Sequence, residues 1–121
     1  MDDAKYRIVA AMRNMVEATL AAVEALEADN AQMLRGIEFL ESGGGVTEGL
    51  KTFPIALRRE DTLRALTRTN DARHELRLLA IALCVDEGMP PAVIADIWGV
   101  SRQRIGQYIR EIKARGQAPQ S

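Results

Sequence analysis

The chain has 121 residues, 47% of them hydrophobic and 4% aromatic, enough for one domain, or one domain plus an extended helix, with a core of Leu, Ile, Val, Ala and Met. Its single cysteine, Cys84, excludes an internal disulfide and fits a reducing compartment, while no apolar run reaches the roughly 18 residues of a membrane span and no signal peptide is evident. The formal net charge of −1 divides unevenly, −5 over residues 1–50 and +4 over residues 51–121, so the chain as a whole is no polycation but its C-terminal part is locally basic.

Residues 3–41 read as one long helix, capped by Asp2 or Asp3 and ended by Gly43-Gly44-Gly45, with no proline inside it. Ile8, Met12, Met15, Thr19, Ala22 and Leu26 recur in steps of four and three, a heptad seam. Val9, Val16, Leu20 and Val23 form a second row beside it and widen the apolar face. Beyond Leu26 the seam passes through Asn30 to Met33, Ile37 and Leu40, which reads as a stutter in the repeat. At 1.5 Å per residue the helix is about 58 Å long, more than a small globular domain spans. The expectation is pairing with a second copy through Ile8, Met12, Met15, Val16, Thr19, Ala22, Val23, Leu26 and Met33, with Asn30 setting register. The alternative is that this helix lies along the C-terminal helices of its own chain.

Residues 42–54 read as a glycine-rich hinge. Gly44 to Thr52 comes near a phosphate-binding loop, but Leu50 separates Gly49 from Lys51, no strand precedes it and Phe53-Pro54 follows it. Residues 55–116 are expected to form a helical domain and 117–121 a flexible tail. A helix over about 55–68 presents Ile55, Leu63 and Leu66 on one side and Arg58, Arg59, Arg64 and Arg68 to solvent. Thr69-Asn70-Asp71 predicts a break and a new cap. The next helix, about 71–87, is expected to bury Leu76, Leu79, Ala80 and Leu83, with Cys84 in the core and His74 capping or exposed near its start. Gly88 ends it, and Pro91 suits the first turn of the helix that follows. The fold class is therefore all-α: a long, coiled-coil-like N-terminal helix and a small C-terminal helical bundle.

The most informative stretch runs from Pro91 to Arg110. Ala95 is small enough for two helices to approach closely. Gly99 suits a left-handed turn residue. Ile105 points back into the angle between the helices, and Ser101 caps the second helix, which opens Arg102-Gln103-Arg104. Ile94, Ile97, Trp98, Val100, Ile105 and Ile109 are expected to pack with Leu76, Leu79 and Leu83, the alternative for Trp98 being an exposed partner anchor. Gly106 costs the helix about 1 kcal/mol relative to alanine, and Tyr108 either packs or offers its hydroxyl to a phosphate.

On these residues the stretch from Ala72 to Arg115, about a third of the chain, resembles the helix-turn-helix region of bacterial DNA-binding proteins. It is most similar to the sigma-factor region 4-like type, in which a support helix precedes the two motif helices. Gly-Val-Ser-Arg-Gln-Arg-Ile at 99–105 carries most of the likeness. The resemblance implies that Ser101, Arg102, Gln103 and Gln107 enter the major groove. Arg102 is suited to bidentate contact with guanine, and Gln103 or Gln107 to adenine. Arg104, Arg110 and Lys113 are suited to phosphates; the plainer alternative is a solvated surface helix.

The function expected is that of a dimeric, sequence-specific transcriptional regulator on double-stranded DNA, located in the cytoplasm with the nucleoid. One histidine and one cysteine make no convincing metal site, and no catalytic set stands out. No enzyme activity, metal, cofactor, membrane partner or small-molecule effector is expected. Two other readings remain open: a helical protein-interaction adaptor, and an architectural or segregation protein that coats DNA with little sequence choice.

Overall fold

The computed structural model describes residues 3–53 and 59–116. Asp2 as a cap, Pro54 at the end of the hinge, Ile55 and Arg58 in the following helix, and the 117–121 tail all lie outside the described residues. The fold is all-α, with five helices among the described residues: α1 (Asp3–Glu41), α2 (Val46–Thr52), α3 (Glu60–Asp86), α4 (Pro91–Trp98) and α5 (Arg102–Ala114). Among the described residues there is no strand. The chain divides into two compact units, Asn14–Asp71 and Met1–Arg13 with Ala72–Ser121.

In the unit Asn14–Asp71, the α1 and α3 segments run antiparallel. Thr62 Oγ1 donates to Asp29 Oδ2 at 2.7 Å, and Thr69 Oγ1 lies 3.1 Å from the Ala18 carbonyl, so rising numbers on one helix meet falling numbers on the other. Small residues permit this approach: Ala18 and Ala22, between the two bonded positions or at them, are buried, as is Gly36 further along α1. Thr62, 2% exposed, is a buried polar residue satisfied by the Asp29 bond. The expected break at Thr69-Asn70-Asp71 is absent, and α3 runs through it. Thr69 Oγ1 also sits 3.0 Å from the carbonyl of Ala65 one turn back. A side chain with capping chemistry thus spends its hydroxyl inside the helix and against α1.

The expected hinge is an ordered corner with a short helix in it. Gly43 takes φ 102°, its N–H bonds the Leu40 carbonyl at 3.2 Å and that of Gly44 bonds Phe39 at 3.0 Å, a Schellman closure of α1. Gly44 has no room for a side chain, because a Cβ there would lie 2.2 Å from the Phe39 ring. Phe39 in turn packs on Phe53 with centroids 5.9 Å apart. The glycines serve a tight, aromatic-backed turn.

The second unit holds the main apolar core. Leu78, Ile81 and Ala82 of α3, Ile94 and Ala95 of α4, and Ile105, Tyr108 and Ile112 of α5 are buried together. Full burial of a side chain such as Leu78, Ile81, Ile94 or Ile105 is worth roughly 1.5–3 kcal/mol, so these four hold the three helices to one arrangement. The inward face of α3 differs from the expected one: Leu76, Leu79, Ala80 and Leu83 are half-buried. Ile97 and Trp98 are also corrected from core to surface, at 62% and 37% exposed, while Val100, Ile109 and Cys84 pack at the core's edge. Burial, with a smaller contribution from the Glu87 charge, pushes the Cys84 thiol above its usual range. Gly88, at φ 84°, ends α3, with Met89 N–H on the Cys84 carbonyl at 3.0 Å.

Candidate nucleic-acid interface

The corner between α4 and α5 follows from four residues. Gly99 adopts φ 66°, ψ 33°, a left-handed conformation that costs a side-chain-bearing residue roughly 1–2 kcal/mol. Val100 N–H bonds the Ala95 carbonyl at 3.1 Å. Ser101 caps α5, its Oγ accepting from Arg104 N–H at 3.1 Å and its carbonyl from Ile105 N–H at 3.1 Å. Ala95 is 4% exposed and Ile105 fully buried, so the small residue and the apolar residue occupy the inside of the corner.

Ile105, Tyr108 and Ile112 define the buried face of α5. At 100° per residue, the opposite face carries Gln103, Gln107 and Arg110, with Arg102 and Lys113 on one flank. All five are exposed, as is Ser101 at the helix start. The α5 residues named for base contact, and Arg110 and Lys113 named for phosphates, thus lie on solvent-facing parts of one helix.

Arg104 is different. Exposed on the other flank, it turns toward α3, and its Nε donates to the Tyr108 hydroxyl at 3.0 Å. Arg77 of α3 donates to the same oxygen at 3.2 Å, and both guanidinium groups lie over the Tyr108 ring, at 5.6 and 5.3 Å from its centroid. Arg115 leaves the basic stripe, because it pairs with Glu75 of α3 and, at 2.9 Å, with Glu111. His74 also reaches Glu111, Nε2 to Oε2 at 2.8 Å. The His74 hydrogen bond is the largest influence holding the Glu111 carboxyl below its usual range, and Arg115 adds to it. The only acidic residue of α5 is therefore turned to α3. The His74–Glu111 link is not legible in the sequence, since neither spacing nor motif joins residues on different helices.

Gly106 is half-buried in mid-helix. A Cβ there would meet only Arg110 Nη1, at an ordinary 3.6 Å. Gly106→Ala is therefore expected to stabilise the fold by about 0.8–1 kcal/mol, read from urea unfolding. A destabilised variant would mean that the glycine meets a backbone need. Reduced DNA affinity in a stabilised variant would instead mark a point of close approach by the nucleic acid.

A support helix, a left-handed glycine corner and an exposed basic second helix define a helix-turn-helix DNA-binding segment. Residues 71–120 match the homeodomain-like domain family. No curated protein and no solved structure matches the chain. Among the described residues, no helix is long and apolar enough to cross a membrane, and no group of three or more His, Cys, Asp or Glu side chains is placed to hold a metal ion.

The expected dimerisation residues separate into two sets. Ala22 is buried within the chain, which corrects its place in a partner-facing seam, and Ile8 and Met15 are half-buried. Met12, Val16, Thr19, Val23, Leu26 and Met33 are exposed. Within Asn14–Asp71 the exposed set is itself regular: Val16, Thr19, Val23, Leu26, Asn30, Met33 and Ile37 follow steps of three and four without interruption. The apparent stutter came from merging an inward row with this outward one.

Proposed function

We propose that the protein is a sequence-specific DNA-binding transcriptional regulator of the bacterial cytoplasm, acting at the nucleoid as a homodimer and working by binding, with no catalysis. The carrying observation is the outward face of α5, where Gln103, Gln107 and Arg110, flanked by Arg102 and Lys113, are exposed with no carboxylate among them. Ser101, Arg102, Gln103 and Gln107 read base edges, and Arg110 and Lys113 hold phosphates. Arg104 reaches a phosphate by leaving Tyr108. The likeness to the sigma-factor region 4-like type supports groove entry by the N-terminal end of α5. The uninterrupted exposed heptad row on α1 supports pairing of two copies, and two heads on one duplex face favour half-sites about 34 Å apart, or a multiple of that.

Selection of bound sequences from a random duplex library tests the reading directly. The expected result is an enriched inverted repeat whose affinity falls steeply with salt, because phosphate contacts release counterions. Binding that enriches nothing, with continuous protection in footprints, would favour an architectural protein. No salt-dependent DNA binding at all would overturn the proposal.

A further inference from the structure

Beside the N-terminal end of α5 lies a cavity of about 490 Å³, within the range of small-molecule sites. Leu76, Ile81, Val100 and Ile105 contribute its apolar lining, and Trp98 contributes an aromatic side. Arg73, Arg77 and Arg104 contribute three positive charges, with no acidic residue in the lining. None of the three makes an ion pair among the described residues. Two of them converge on the Tyr108 oxygen, at 3.2 and 3.0 Å. That oxygen spends its two lone pairs on guanidinium donors, and the phenol proton has no acceptor among the described residues. Tyr108 is only 8% exposed, so this is a nearly buried donor flanked by like charges. Two guanidinium groups brought to one neutral oxygen repel each other, and an anion at that point relieves the repulsion and takes the phenol proton as a hydrogen bond.

We propose that this cavity binds a small amphipathic anion, its acid group held by Arg77, Arg104 and the Tyr108 hydroxyl and its apolar body laid against Leu76, Val100 and Trp98. A DNA phosphate would satisfy the arginines but leave the apolar lining unused, so the lining favours a small molecule with a hydrocarbon or aromatic body. The site shares Arg104 and Ser101 with the DNA-binding face. Resting on the proposed function, occupancy retains Arg104 at Tyr108 and lowers DNA affinity, and bound DNA lowers ligand affinity by the same factor.

Trp98 is the only tryptophan in the chain, so its fluorescence reports on this cavity in the full-length protein without DNA. Octanoate is expected to shift Trp98 emission saturably, whereas octan-1-ol and acetate at equal concentration do not. Arg77→Gln with Arg104→Gln should weaken octanoate binding about tenfold or more at unchanged helical circular dichroism. Should that pair disturb folding, Arg73→Gln at the exposed rim should still weaken binding about two- to threefold. Equal responses to octanoate and octan-1-ol, a response that does not saturate, or a folded arginine variant that binds as well as wild type would overturn the site. A DNA titration in saturating octanoate separates the two proposals. Unchanged DNA affinity removes the coupling, and a protein that binds octanoate but no DNA removes the regulator reading while the anion site stands.

Discussion

Replacing Arg102 and Gln103 together by alanine is expected to erase the preference for the selected site while leaving the fold intact. Each bidentate contact to a base edge discriminates by about 1–3 kcal/mol, so losing two costs about 2–6 kcal/mol of specificity in each head. The one charge removed from each head reads a base edge and not a phosphate, so the slope of log affinity against log salt should change by less than the roughly 0.9 that a lost phosphate contact costs. Mixed-sequence DNA is therefore bound nearly as well as before, and the loss falls on the cognate site. The fold survives because both side chains are exposed, while Ile105, Tyr108 and Ile112 hold α5 in place and Ser101 still caps it. Fluorescence anisotropy on selected and scrambled duplexes, with circular dichroism as control, makes the comparison. A variant that keeps the full ratio between the two duplexes would place base reading elsewhere.

The α4–α5 corner was legible in the sequence because everything that builds it is local. Ala95, Gly99, Ser101 and Ile105 act through backbone conformation, a cap and a spacing, all confined to a few residues. The closing signals of α1 and α3 at Gly43 and Gly88 are local in the same way. The misreadings involve distant partners. Thr69-Asn70-Asp71 carries capping chemistry, but Ala18, 51 residues away, receives the Thr69 hydroxyl, and packing against α1 outweighs a propensity worth a fraction of a kcal/mol per residue. The inward face of α3 is not legible because apolar residues run nearly without gap from Leu76 to Val85, and periodicity alone does not choose among them. Hydrophobicity alone predicts Ile97 and Trp98 in the core, yet α4 is short and turns Ile94 and Ala95 inward. Arg77 reaches Tyr108, and His74 reaches Glu111, only once α3 and α5 are packed. The side chains proposed to read bases are nameable from sequence because they follow the corner directly. The arginine cavity is not, because its members come from α3, α4 and α5.

The same separation of inward and outward rows on α1 sets the second large effect. Val16→Glu with Val23→Glu is expected to convert the proposed dimer into a monomer and to lower affinity for an inverted repeat by about 10²–10⁴, the factor that linking two binding modules supplies. Val16 and Val23 are 56% and 45% exposed, so the glutamates enter water in the single chain and leave its helix content unchanged. In a paired seam the same glutamates would face apolar side chains and one another, with desolvation and like-charge repulsion both opposing association. Deleting α1 is a poorer experiment, because it also strips Ala18 and Asp29 from Thr69 and Thr62 and so disturbs the packing of α3 along with assembly. Ala22→Glu provides the contrast: that position is 6% exposed, so a charge there should destabilise the chain itself. Sedimentation velocity on the three proteins distinguishes these outcomes. A Val16→Glu, Val23→Glu protein that sediments as the wild-type oligomer would remove the exposed row from assembly. A wild-type protein already monomeric at DNA-binding concentrations would remove the dimer itself, leaving a single head whose affinity rests on α5 alone.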